Sequence, residues 1–316
     1  MGAISKQSAA PPAPQPSNRF TLRQLEAFAA VVRLGGVSAA AGHLSRTQSA
    51  VSMALQDLET ALDARLFTRR GRRLIPTEAA ERLLPRVLEM IDRSHDIASL
   101  AAGDDAAPTP VTIGASRTVG PALMPALIAD CHRRNPALRI SLTVGNSADL
   151  LAAIRSFDLD CAFVEGDVTD SGLECERWVD DRLCLVARTG HPLFSRRGSI
   201  ARRLEGLRWV LRERGSGSRE ISLRAIEPVL GAPDIAVEVN EPETQKLIVR
   251  DSDLITCMSA RAFESGGDGL REVAGLDNGL QRALTRRFWI VRHPQRYRRE
   301  AVRQVIETAL RMRPDG

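Results

Sequence analysis

Gln48, Ser49, Ser52, Met53 and Gln56 fall on one side of a helical period of about 3.6 residues, and most of them can exchange hydrogen bonds with base edges and phosphates. Gln donates and accepts through one planar amide. Ser is short enough to let a helix sit deep in a major groove. Arg46 and Thr47 open the same run, and Arg70, Arg72 and Arg73 cluster further on around Gly71. Arginines at a hairpin tip contact phosphates or the minor groove without reading sequence. These ten residues are the candidate contacts to double-stranded DNA.

A second chemistry lies in Gly114-Ala-Ser-Arg-Thr-Val-Gly120 and Arg212-Glu-Arg-Gly-Ser-Gly-Ser-Arg219. Each follows a strand-like run and enters a helical one. Hydroxyls and free backbone N–H groups at such a turn form a nest for a small anion. Ser116, Thr118, Ser216 and Ser218 are the leading contacts, with Arg219 beside them. Each hydroxyl could equally be an ordinary N-cap of its own helix, which needs no ligand.

The elements that must position the first set are two short helices and a turn. Ala40, Leu44, Val51, Leu55 and Leu58 supply their buried side. A helix over Leu22–Leu34 precedes them and ends at Gly35-Gly36. Ser38 is expected to cap a helix to Leu44, and a recognition helix runs from Thr47 or Gln48 to about Leu62. Arg65–Pro76 reads as a β-hairpin, the wing. Thr77 then caps a long helix to Ala102, on which Leu84, Leu88, Ile91, His95 and Ala98 recur at spacings of four and three. Such a stripe favours pairing with its copy in a second subunit.

Residues 103–110 are a linker. Beyond it strands and helices alternate, with strands at 111–115, 138–144, 159–164, 183–187, 209–211, 235–239, 254–258 and 284–291. The intervening helices are expected at 121–133, 148–156, 218–230, 242–250 and 298–311. This is an α/β pattern with a mostly parallel sheet, or two small ones, and ligands at the carboxyl ends of the strands.

Charge placement supports the division. Between Arg19 and Arg73 nine arginines face four acids, a surplus equal to the +5 of the whole 316-residue chain. The phosphate-neutralising charge is thus confined to the N-terminal segment. Residues 1–18, rich in Pro, Ala, Ser and Gln, read as a disordered tail without signal-peptide character, and no apolar run approaches a membrane span; a cytoplasmic protein is expected. The five cysteines show no metal-ligand spacing, and nothing near Cys175 or Cys184 marks a reactive thiol. There is no G-x-S-x-G, P-loop or G-x-G-x-x-G. An enzyme, or a solute-binding protein with an accessory DNA-binding domain, is the alternative reading, and neither has a motif to support it. No cofactor is implied.

Residues 21–80 resemble the DNA-binding domain of LysR-type transcriptional regulators. The pattern stands here as Leu22-Arg-Gln-Leu-Glu-Ala-Phe28, Leu44-Ser-Arg-Thr-Gln-Ser-Ala-Val-Ser52, Leu58-Glu59, Leu66-Phe67 and Pro76-Thr-Glu-Ala79. The resemblance implies a winged helix-turn-helix domain over 19–76, a linker and dimerisation helix over 77–102, and a two-lobed, periplasmic-binding-protein-like effector domain over 109–311. Lobe 1 is expected at about 109–164 and 270–311, and lobe 2 at about 165–269. It further implies a homodimer or homotetramer on an inverted-repeat operator, and a small anionic metabolite as co-effector between the lobes. There the two hydroxyl-bearing segments face each other, Val164-Glu-Gly166 forms a hinge strand, Glu165 lines the cleft and Thr244 is a further contact. The Gly-Ser-Gly-Ser-Arg-Glu run resembles the regulators of carbon fixation and sulfur assimilation. Met53 departs from the basic residue usual in the family, Ala80 from a frequent Gly, and Val249-Arg-Asp-Ser-Asp-Leu254 from a glycine-bearing segment.

Overall fold

The computed structural model describes residues 20–70, 73–102, 111–166, 168, 172–263 and 269–312, in two compact units that meet in sequence at Ser94/His95. The expected tail, the linker 103–110, Gly71 and Arg72 lie outside the described residues, as does the side chain of Arg73.

The first unit comprises α1 (Leu22–Leu34), α2 (Val37–His43), α3 (Gln48–Leu62), the antiparallel pair β1 (Phe67–Arg70) and β2 (Arg73–Pro76), and most of α4 (Glu78–Ala102). Thr21 and Gln24 cap α1 reciprocally, and Gly35, at φ +74°, ends it in the left-handed conformation that favours glycine. Ser38 is not a cap. Gly36 holds that position, and the Ser38 hydroxyl instead accepts from Gln48 Nε2 at 3.2 Å. Thr47 caps α3 through Ala50 N at 3.2 Å. Leu25, Phe28, Val31, Ala40, Val51, Leu55 and Leu58 are buried, and Phe28 meets Phe67 at 5.8 Å between ring centroids.

Two side chains fasten the wing. Glu59 Oε1 accepts from the N–H groups of Leu66 and Phe67 at 2.7 and 3.1 Å. The Thr77 hydroxyl donates to Arg65 O at 2.9 Å and accepts from Ala80 N at 3.3 Å, capping α4. The expected stripe on α4 is partly spent. Leu84 and Leu88 are buried already, Ala98 is exposed, and the exposed large apolar residues of the helix are Met90, Ile97 and Leu100. Among the described residues, Met90 and Ile97, seven residues apart on α4, are exposed well round the helix from Leu84 and Leu88.

The second unit is a nine-stranded sheet covered by helices. Its elements are β3 (Val111–Ser116), α5 (Val119–Arg134), β4 (Ile140–Gly145), α6 (Ser147–Arg155), β5 (Cys161–Glu165), β6 (Glu174–Arg188), α7 (Ile200–Leu204), β7 (Arg208–Arg212), α8 (Gly217–Leu230), β8 (Asp234–Val239), α9 (Pro242–Arg250), β9 (Ile255–Ser259), β10 (Leu270–Glu272), α10 (Asn278–Ala283), β11 (Thr285–Arg292) and α11 (Glu300–Arg311). The strand order is β4-β3-β5-β11-β6-β9-β7-β8, with β10 on β6. Each end is a parallel trio in a 2-1-3 order, β4-β3-β5 and β8-β7-β9, and the antiparallel strands β11 and β6 join them.

Side chains alternate between the two covered faces, as the pleat requires. In β5, Cys161 and Phe163 enter one core and Ala162 and Val164 the other; in β6, Leu183 and Leu185 oppose Cys184 and Val186.

Two boundaries differ from expectation, and two short helices are additional to it. The strand expected at 183–187 is the second half of β6, whose first half, rich in charge, pairs with β11 in the first lobe. Residues 270–284 belong to the second lobe and not the first: β10 pairs with β6, and Val273, Leu280 and Leu284 pack with Leu183, Trp209 and Ile255. The short helices α7 and α10 carry too little apolar periodicity to be read from sequence.

Asp160 staples the first lobe. Its buried carboxylate accepts from Thr112 N at 2.8 Å, Thr112 Oγ1 at 3.0 Å, Arg296 Nη2 at 3.1 Å and Arg299 Nη2 at 2.7 Å. Asp160→Ala takes the counter-charge from two inward-facing arginines and should cost about 3–5 kcal/mol of unfolding free energy in a urea titration followed by tryptophan fluorescence. A loss under about 1 kcal/mol, the worth of a surface pair, would refute this reading.

Candidate nucleic-acid interface and interlobe site

The outer face of α3 is open. Thr47, Gln48, Ser49, Ser52, Met53 and Gln56 are exposed, Met53 by 61%, whereas Val51, Leu55 and Leu58 fill the core. Thr47 and Ser49 share a hydroxyl contact at 3.0 Å at the helix start. Arg70 is exposed at the end of β1. Arg46 is placed differently from the rest: its guanidinium pairs with Glu26 at 3.1 Å and reaches Arg23 O at 3.4 Å. It ties the start of α3 to α1 and is not extended toward solvent.

In the second unit, the carboxyl ends of β3, β5, β7 and β9 converge. These are the switch points of the two 2-1-3 trios, where an open α/β sheet leaves a crevice. Ser116 ends β3, Glu165 ends β5, Ser216 and Ser218 open α8 after β7, and Ser259 ends β9. Ser116, Thr118, Glu165, Ser216 and Ser218 are each at most 3% exposed. Glu165 is their centre. Ser116 Oγ donates to its carboxylate, Thr118 Oγ1 does so at 3.2 Å, and Ser218 Oγ lies at 3.5 Å. Thr118 and Ser216, at the N-cap positions of α5 and α8, make no side-chain cap bond. The ordinary capping role therefore does not account for them.

Behind Glu165 sits a charge set that sequence reading missed. Arg286 Nη1 donates to Ser218 Oγ at 2.8 Å and stands 3.9 Å from Glu165, while its Nε pairs with Asp181 at 2.7 Å. Ser259 Oγ donates to Asp181 at 3.0 Å, and Arg261 Nε lies 3.6 Å away. An acid and an arginine embedded in apolar strands are a signal of a buried pair, but only the cross-strand register Arg286↔Asp181 reveals it.

Nearer solvent, the lobes are latched. Arg117 Nη1 meets Glu241 at 2.6 Å, and Asn146 Nδ2 donates to Glu213 Oε1 at 2.7 Å and Arg214 O at 3.2 Å. Gly217 lies so close to β5 that a Cβ there would meet the Glu165 carbonyl oxygen at 2.5 Å. Two expected contacts are not brought here. Arg219 turns onto its own lobe, to Arg212 O at 2.5 Å and Glu238 at 2.8 Å. Thr244 is exposed; the buried residue of that turn is Gln245, whose amide donates to Thr256 Oγ1 and, at 3.3 Å, to Val210 O. Among the described residues no His, Cys, Asp and Glu cluster is poised for a metal, and no single helix is long and apolar enough to cross a membrane.

Residues 22–81 match the family model for the bacterial regulatory helix-turn-helix protein of the lysR family, and residues 106–313 match the LysR substrate binding domain. The chain is 37% identical over 291 residues to the uncharacterized HTH-type transcriptional regulator YeiE of Escherichia coli K12, covering 91% of this chain and 96% of that one. It is 30% identical to a probable RuBisCO transcriptional regulator of Chlorokybus atmophyticus, over 89% of this chain and 92% of the relative. A full-length OxyR variant from Pseudomonas aeruginosa superposes with a TM-score of 0.68 at 18% identity, over 92% of this chain and 94% of the other. Full-length CbnR in complex with its target DNA does so at 0.54 and 19%, over 92% and 99%. At these identities the structural likeness speaks for the fold.

The five thiols are free, and all but Cys175 are buried. Burial pushes Cys184 and Cys257 up to about 12 and raises Cys131, Cys161 and Cys175 as well. Cys175 and Cys184 share β6 and stand roughly 30 Å apart along it, too far to bridge. In the native chain a thiol-reactive dye should label the half-buried Cys175 alone, and all five thiols only after unfolding in guanidinium. Rapid native labelling of a second thiol would overturn this.

Proposed function

Since the chain belongs to the LysR family of transcriptional regulators, we propose that it reads an inverted-repeat operator as a homodimer or homotetramer and changes its seat on DNA when a small anionic metabolite binds between the effector lobes. The observation that carries the DNA part is the division of α3 into a buried face and an exposed polar one, next to a wing with exposed arginine. Gln48, Ser49, Ser52, Met53 and Gln56 enter the major groove, Thr47 and Arg46 fix the start of the helix, and Arg70, Arg72 and Arg73 lie along the backbone. With Met53 in place of a basic residue, the helix makes one phosphate contact fewer than its relatives. The subunits pair through α4, along the face of Met90 and Ile97. The protein works in the cytoplasm, where its DNA lies, and needs no cofactor beyond the effector.

In the effector domain, Ser116, Thr118, Ser216 and Ser218 supply hydroxyl donors from both lobes, with Glu165 between them. Arg219 and Thr244 contribute by shaping the lobe and its rim. Ligand entry and lobe closure shift the population between two arrangements of the dimer.

Gln48→Ala should weaken operator binding by roughly 1–3 kcal/mol while leaving affinity for random DNA unchanged, measured by fluorescence anisotropy. Equal losses on both DNAs would remove Gln48 from base reading. Arg70→Ala should weaken binding on every sequence and reduce the slope of log K against log salt by about 1. An unchanged slope would take the wing off the phosphates.

A further inference from the structure

The interlobe donors converge on a group that belongs to the protein itself. Ser116 and Thr118 from one lobe and Ser218 from the other all address the Glu165 carboxylate, and Arg286 stands 3.9 Å from it. Glu165 does not saturate them. Ser216 Oγ and Arg286 Nη2, on side chains 2% and 4% exposed by residue, have no hydrogen-bond partner among the described residues. A free anion added beside Glu165 would meet two carboxylates, Glu165 and Asp181, across one buried guanidinium. Like charges at such range repel strongly in a dry site.

Resting on the reading that the effector binds between the lobes, we propose that the Glu165 carboxylate is a tethered occupant of an oxyanion cradle, and that a small carboxylate-bearing effector binds by taking its place among the hydroxyls of Ser116, Thr118 and Ser218. The exchange is close to neutral in charge and hydrogen bonds, because one carboxylate replaces another. The gain comes from the donors that Glu165 leaves unused. The protein's own glutamate thereby sets a threshold that weak anions do not pass.

The test uses the full-length chain and formate as the probe, against chloride at equal ionic strength, with melting temperature as the readout. Glu165→Ala empties the cradle. Its melting temperature should rise with formate in a saturable way, at a half-saturating concentration roughly tenfold or more below that of wild type. Adding Ser116→Ala to this variant should abolish the response. Glu165→Gln keeps the shape and removes the charge, and it should show a smaller shift in the same direction if Glu165→Ala folds poorly. If formate and chloride act alike on both Glu165 variants, the inference is overturned. Operator binding separates it from the reading beneath it. A formate response of Glu165→Ala that leaves operator affinity unchanged upholds the cradle and removes the cleft from regulation. A metabolite that shifts wild-type operator binding while neither variant responds to formate upholds the regulatory cleft and sinks the tethered occupant.

Discussion

One guanidinium and two carboxylates held out of water govern the effector domain. Taking such groups from solvent costs several kcal/mol each unless nearly every lone pair and proton finds a partner. Arg286, Asp181 and Glu165 approach that condition with help from both lobes, Ser116 and Thr118 on one side and Ser218, Ser259 and Arg261 on the other, while Arg286 Nη2 keeps no hydrogen-bond partner among the described residues. Separating the lobes would expose these charges to water, and closing them without partners would strand them. The dry, mutually bonded arrangement therefore depends on both lobes together, and a ligand that alters either set of partners can bias it.

The DNA-binding unit rests on a different division of labour. The residues that make the LysR pattern recognisable mostly hold the fold: Leu58 fills the core, Glu59 binds the first N–H groups of the wing, and Thr77 ties the wing to α4. Even Arg46, basic and beside the recognition helix, is spent on Glu26. What remains outside the fold is the exposed polar face of α3, with Met53 on it. A pattern of this kind identifies the reader without identifying its operator.

What the sequence made legible follows from how locally each feature is encoded. The buried side of α3, the wing and the strand–helix alternation need only short-range periodicity, and they stand as read. The hydroxyl turns at 116–118 and 216–218 were likewise visible, because a strand, a small-residue turn and a helix follow one another in the chain. Pairing across the sheet was not. Asp181 and Arg286 lie 105 residues apart and look like surface charges until β6 and β11 place them side by side. The same holds for residues 270–284, whose lobe depends on which half of β6 receives β10. Arg219 was drawn into the site by its neighbours in sequence, yet Glu238 across the lobe holds it away.

Continuity of the sheet limits how the lobes can move. β6 is one strand from Glu174 to Arg188, paired in its first half with β11 and in its second with β9 and β10. A wide hinge opening would break that ladder, whereas a twist about it would not. The register of β6 against β11 already shifts between Phe288 and Trp289, and the extra residue, Trp178, turns into the first-lobe core, where Phe163 and the Ala309 carbonyl receive it. Closure is bounded on the other side by Gly217, where even a methyl group would strike the backbone of Glu165. Between these stops the available motion is small. A change of roughly an ångström at the cleft is enough to exchange one set of hydrogen-bond partners for another, because donor–acceptor distances in such bonds span only about 2.5–3.2 Å.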